Sequence, residues 1–438
     1  MHIDTLICAR WIIPVEPHGL VMENQAVAVA NGNIVEILPI DNAQQKYQAD
    51  TVAHMQHHAL IPGLINSHTH AAMSFLRGIA DDQPLMEWLQ GTIWPIEQKW
   101  VGETFVGDAT ELAIAEMLRG GITCFNDMYF FPEVTARIAL NTGIRAKIGL
   151  IQIEFPSAWA QSSDEYLTKG LALHDKLRNE RLVTAAFAPH APYSVSNDTL
   201  EKVRMYSEEL EIPVHMHLHE TADEISQSLE QFGTRPLSRL HQLGITGPSF
   251  IAVHMTQLTD AEIEMVAECG SSIVHCPESN LKLASGFCPV AKLIKAGVNV
   301  ALGTDSAASN NDLDILGEMR TAALLAKGVA EDASAVPAAT ALRMATLNGA
   351  IALGLDTEIG SLEPKKSADI TAIRLDTLET QPIFDPTSQI VYAANRDQIT
   401  DVWVAGRQLL KSRELTSMNI DQIKTTVTLW ADKLSSPH

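Results

Sequence analysis

The histidine pair His68 and His70 in INSHTHAAM constrains this chain more than any other feature. The two residues follow directly on the apolar run ALIPGLI. Period-two alternation along a strand sends both imidazoles to one face, where both can reach a single ion. Two side chains do not complete a metal site, so the remaining ligands must come from distant parts of the chain. Polar residues fit for that task recur at the ends of later apolar runs: His190 in AAFAPHAPYS, His217 in IPVHMHLHETADE, His254 in FIAVHMTQL, His275 in SSIVHCPESN and Asp305 in VNVALGTDSAASN. A TIM barrel gathers side chains from the C-terminal ends of several strands in this way.

Eight short apolar runs support that architecture. They begin at Leu60, Ile122, Ala146, Val183, Ile212, Phe250, Ser272 and Val298 and alternate with amphipathic stretches, among them TELAIAEMLRGG with its closing glycines. A doubly wound sheet would carry a glycine-rich phosphate loop, and neither GxGxxG nor GxxxxGK[ST] occurs. Strand-rich segments flank the barrel. VMENQAVAVANGNIVEILP, with an Asn-Gly turn, precedes it; GSLEPKKSADITAIRL and DVWVAGRQLL follow. The expected fold is thus a TIM (β/α)8 barrel over residues 59–360 and a small β-sandwich domain from both chain ends. That second domain spans 1–58 plus 361–438, with a C-terminal helix from MNIDQIKTTVTLWADKL.

Composition narrows the function classes. The formal charge of -22 opposes a nucleic-acid partner, and no apolar stretch reaches the ~18 residues of a membrane span. Five scattered cysteines without CxxC spacing argue against a disulfide framework or a thiolate zinc site, so a cytoplasmic location is expected. The N-terminus has no basic segment ahead of an apolar one and reads as a strand.

Neutral imidazoles with a carboxylate suit one divalent ion, Zn²⁺ first and Fe²⁺ as the alternative. On the fifth run His215, His217 and His219 nominally share a face, so spacing does not choose among them. Glu220 lies just beyond, where a carboxylate can move a proton between water and a leaving group. Other conspicuous residues carry blander readings. The tract HMQHH at 54–58 is expected in a surface turn at the opposite end, and Cys276 as an inert buried thiol. His275 either lines the pocket or fills the barrel mouth. Trp88 and Trp94 form either a wall over the substrate or ordinary core.

The motifs PGLINSHTH, HLHE, AVH and GTDS, spread over nearly the whole chain, resemble the amidohydrolase superfamily. The run FLRGIADDQPLMEWLQGTIWPIEQK is similar to that of its 5′-methylthioadenosine/S-adenosylhomocysteine deaminases. The resemblance implies that His68, His70, His217 and Asp305 hold the metal and that Glu220, three positions after His217, shuttles protons. His254 and Asp305 would orient and deprotonate the attacking water. Glu97 and His190 would bind the nucleoside, with Glu97 at the ribose hydroxyls. His190 also stands where two-metal relatives carry a lysine, which implies a single ion. The implied reaction replaces the amino group of an adenosine-type base with oxygen and releases ammonia.

The loop IEFPSAWA offers no arginine for the carboxylate of S-adenosylhomocysteine, so methylthioadenosine is the expected preference, with adenosine a further substrate. Competing readings on the same scaffold are a guanine, cytosine or triazine deaminase or chlorohydrolase, and a non-catalytic assembly protein. The complete ligand set opposes the last. A homo-oligomer is expected.

Overall fold

The computed structural model describes residues 1–435. Its chain opens with a sheet: β1 (His2–Ile12), β2 (Met22–Ala30), β3 (Asn33–Pro39) and β4 (Gln48–Pro62). The barrel follows, built from β5 (Leu64–Thr69), β6 (Ile122–Asp127), β7 (Arg145–Gln152), β8 (Val183–Pro189), β9 (Val214–Leu218), β10 (Phe250–His254), β11 (Ser272–His275) and β12 (Val300–Leu302). The last strands, β13 (Ile370–Arg374), β14 (Ile399–Val404), β15 (Arg407–Lys411) and β16 (Glu414–Leu415), return to the first sheet. Its order is β16-β15-β14-β13-β4-β1-β2-β3, so the two chain ends meet where β13 pairs with β4.

β5 to β12 pair in sequence, all parallel, with helices between them, as the alternating pattern requires. An isolated parallel bridge between Thr69 and Asp305 brings the last strand back to the first. The barrel expectation is met, and so is the small sheet domain, with one refinement. A single continuous eight-stranded sheet curls over itself in place of two separate layers. Its inner face buries Ile7, Val27, Ile370 and Trp403 together, and Ala368 N, just ahead of β13, donates to Gly32 O in the turn between β2 and β3.

Two expectations are corrected. The run at Leu60 is not yet barrel: Ala59–Pro62 pair antiparallel with β13, and the barrel strand starts at Leu64. Both segments are apolar because both are buried, so composition does not mark the crossing. Gly63 marks it. A Cβ there would lie 2.0 Å from Thr123 Oγ1, so only glycine lets the chain pass from sheet to barrel. The HMQHH tract lies within β4 and not in a turn, although His54, Gln56 and His57 are exposed as expected. The run at Val298 likewise becomes strand only at Val300.

The C-terminal helix forms over Ile420–Ser435 and packs on the barrel helix Glu103–Arg119, with Trp430 Nε1 donating to Asp108. Arg145, buried in β7, donates to both carboxylate oxygens of Asp369 (3.0 and 3.3 Å) and so ties barrel to sheet. No helix among the described residues is long and apolar enough to cross a membrane.

The Gly63 passage is open to a direct test. Gly63→Val should destabilise the protein by about 1–3 kcal/mol through overpacking, measured by denaturant unfolding. Trimming the opposing side chain by Thr123→Ala in the same chain should recover part of that loss.

Candidate metal centre and active site

Burial inside the barrel forces the polar residues at the strand ends to find partners, and they find one another. His68 Nε2 and His70 Nε2 each lie 3.2 Å from Asp305 Oδ1, and His217 Nε2 lies 3.2 Å from His68 Nε2. One ligand atom from each of these four residues falls within 4.8 Å of the others. The remaining ring nitrogens are already engaged. His217 Nδ1 donates to His190 O (2.9 Å), His70 Nδ1 donates to Met128 O, and His68 Nδ1 faces His215 Nε2 at 2.9 Å. With their Nδ1 protons spent, His70 turns a lone pair toward Asp305 Oδ1 and His217 turns one toward His68 Nε2, an arrangement suited to a cation lying among them. The donor set fits one zinc-like ion: three nitrogens and an oxygen, with room for water.

The two histidines of β9 and His219 just beyond it now separate. His217 joins the ligands. His215 supports His68 from behind. His219 has φ +52°, which breaks the period-two alternation and turns its Nε2 to accept from Leu237 N (3.0 Å). His254 (φ +76°) and Asp305 (φ +57°) also adopt left-handed backbone at the same rim, re-aiming side chains that regular strands would send elsewhere.

Glu220 is buried, and its Oε2 lies 3.7 Å from His254 Nε2. Burial first, then the charge of Asp305, pushes its pKa to about 8, so it holds a proton at neutral pH. Burial likewise lowers His254 to about 4 and His190 to about 3, which keeps both rings neutral. A cavity of about 520 Å³ opens over these groups. Glu97, His190, Glu220, His254 and Asp305 all line it, so the catalytic and substrate-binding residues expected from sequence converge there. Trp88 and Trp94 line it too, which places them in its wall. They belong to a roof in which a π-helical turn, Leu89–Ile93, separates the helices Leu85–Trp88 and Trp94–Trp100. His275 is buried and absent from that lining, with neither ring nitrogen partnered among the described residues. Cys276 is buried, and burial raises its thiol pKa, as an inert thiol requires.

Sequence reasoning missed the groups that hold these residues in place. Ser279 and Ser309 donate to Asp305 Oδ2 (2.6 and 2.7 Å), leaving Oδ1 for the ion. Glu224 accepts from the backbone N–H groups of His219 and Glu220 (2.9 and 2.8 Å). Tyr129 OH donates to Glu97 Oε1 at 2.6 Å, and burial still raises Glu97 to about 7. Hydroxyls and acids of this kind have no motif spacing that announces them.

Comparison with known proteins agrees with the geometry. The amidohydrolase family profile matches residues 59–409. The chain belongs to the amidohydrolase family. Curated relatives named 5-methylthioadenosine/S-adenosylhomocysteine deaminase include those of Teredinibacter turnerae (48% identical, 99% of this chain, 98% of the relative) and Saccharophagus degradans (47%, 99% and 97%). A zinc-bound adenosine deaminase from Xanthomonas campestris superposes with a TM-score of 0.98 at 53% identity, covering 99% of each chain. A zinc-bound atrazine chlorohydrolase from Arthrobacter aurescens shares the fold, with a TM-score of 0.91 at 22% identity over 98% of this chain and 100% of its own. Like other members of its family, this amidohydrolase is a hydrolytic enzyme, and its donor set suits the zinc seen in the solved relative.

The two serines generate a prediction. Ser279→Ala, and Ser309→Ala more so in combination, should weaken metal affinity about 10–100-fold by freeing Asp305 to rotate, read by titration in metal buffers.

Proposed function

We propose that this amidohydrolase deaminates the 6-amino position of 5′-methylthioadenosine and related adenosine-type nucleosides, giving the inosine-type product and ammonia. The observation that carries the reading is Glu97: a half-buried carboxylate, held by Tyr129, facing the metal ligands across one cavity. A free base has no hydroxyls for such a clamp. The names of the relatives point the same way.

His68, His70, His217 and Asp305 would hold a divalent ion, which would supply the acidification of water. The chain supplies the rest. Glu220, protonated at neutral pH, donates its proton to the purine ring nitrogen, then as a carboxylate takes the proton of the new hydroxyl as the carbonyl forms and hands it to the departing ammonia. His254 and Asp305 orient the attacking water and take its proton. For His254 this requires a free Nε2. The Asn280 amide nitrogen donates to His254 Nδ1 (3.0 Å) while its oxygen has no partner. Turning the amide over would accept an Nδ1 proton and free Nε2 as a base. His190 contacts the base beside His217, and Trp88 and Trp94 exclude water.

The cavity lining contains neither lysine nor arginine. That supports methylthioadenosine over S-adenosylhomocysteine, whose amino acid tail would leave its carboxylate unpaired. The site would lie wholly in the barrel, 59–360. The sheet domain, 1–58 plus 361–438, would serve as its support; residues 436–438 lie outside the described ones. Free cysteines support a cytoplasmic setting, and the acidic charge supports the absence of nucleic-acid or membrane partners. Leu378 and Phe384, each 91% exposed, support a homo-oligomer; light scattering at the monomer mass, 47.8 kDa, would remove that part of the reading.

The central test is ammonia release from methylthioadenosine, adenosine, S-adenosylhomocysteine, guanine and cytosine. The reading expects the highest kcat/KM with methylthioadenosine and fails if guanine or cytosine exceeds it. Glu97→Gln should raise KM about 10–100-fold, as expected for loss of a charged hydrogen bond. Because Glu97 titrates near 7 and binds hydroxyls as a carboxylate, KM should climb as pH falls through that value. The same Glu97→Gln substitution should abolish this limb.

A further inference from the structure

A second cavity, of about 440 Å³, opens at the other end of the barrel, beneath the N-terminal ends of the strands. Lys147, His174, Thr184, Pro213, Ser249 and Leu353 are among its lining residues. Lys147 and Thr184 are register partners on β7 and β8, so their side chains project side by side on one face.

Lys147 is 5% exposed, yet its ammonium makes no hydrogen bond or ion pair with any described residue. Buried charges are ordinarily paired, because an uncompensated one costs several kcal/mol. Arg145, two residues earlier on the same face, takes Asp369, Ser367 and Glu358 for itself. Cys124, which feels the Lys147 charge, has its thiol pushed up to about 12 by burial and supplies no anion. Glu358 lines the same cavity and its charge acts on Lys147 from a distance, but it is half exposed and pairs with Arg145 at 3.4 Å. Two polar atoms of the same lining also lack hydrogen bonds: Thr184 Oγ1 and His174 Nδ1, the latter 3.8 Å from Asp175 Oδ1. Burial lowers Lys147 to about 8, so it remains mainly protonated at neutral pH.

We propose that the barrel floor is a binding site for a small carboxylate, held by the Lys147 ammonium and the Thr184 hydroxyl. One compact anion satisfies both groups, and the cavity has room for it. The acids Glu180, Glu211 and Glu358 outnumber the cations Lys147 and Arg178 in the lining, which favours a singly charged ligand over a dianion such as phosphate.

The metal-loaded enzyme can be treated with an amine-acylating reagent in acetate, phosphate or chloride at equal ionic strength, with Lys147 modification followed by mass spectrometry. Acetate should slow labelling of Lys147 hyperbolically, reaching about tenfold at ten times its midpoint, and leave exposed lysines unchanged. Acetate should also raise Tm of the wild type but not of Lys147→Met or Thr184→Val, both of which should keep their deaminase activity. An unchanged labelling rate in acetate overturns the proposal, as does protection by phosphate alone. A Tm rise that survives in Lys147→Met does the same. Should that variant fail to fold, labelling of the wild type and the Thr184→Val comparison still decide.

Discussion

Closure of the barrel between its first and last strands is the constraint on which the rest of this structure depends. Asp305 N donates to His68 O (3.1 Å), and Asn66 and Thr304 exchange two further hydrogen bonds (2.8 and 3.0 Å). The strands approach so closely there that a Cβ on Gly303 would lie 2.9 Å from the His68 backbone. The same contact that joins the barrel's ends therefore sets Asp305 against His68 and His70. Stability and metal geometry rest on one set of backbone bonds, so the site is as rigid as the closure itself.

Around that seam the protein arranges two rings of polar groups. The inner ring holds the four ligand-capable residues His68, His70, His217 and Asp305 and the cavity-lining Glu220, His254, Glu97 and His190. The outer ring fixes tautomers and rotamers through His215, Ser279, Ser309, Glu224, Asn280 and Tyr129. Burial raises the cost of every unmade bond among them, which is why each acid near the ion has a defined partner. The same burial separates the acids' tasks. Glu220 keeps a proton to give, whereas Asp305 stays beside imidazoles that favour its charged form. The sheet domain enters this system only through mechanics. Arg145 clamps Asp369, whose carbonyl accepts from Gly63 N just ahead of the first barrel strand.

The sequence by itself determined the class of fold and the donor set suited to a zinc-like ion. Eight buried parallel strands must each be an apolar run, and ligands at their C-terminal ends must follow those runs, so both are visible in one dimension. The family motifs then selected His217 and Glu220. Tertiary structure alone decided what depends on direction and on distant partners. Left-handed backbone at His219 removed it from the face that alternation gave it, and no periodicity encodes such a break. The change from sheet to barrel at Gly63 was invisible because both sides are apolar. Ser279, Asn280 and Tyr129 act through contacts across the barrel, and small polar residues look the same in sequence whether they hold a ligand or face water. Lys147 is the sharpest case: on a strand it reads as an ordinary lysine, and only the folded barrel shows that it is buried with no hydrogen bond or ion pair to a described residue.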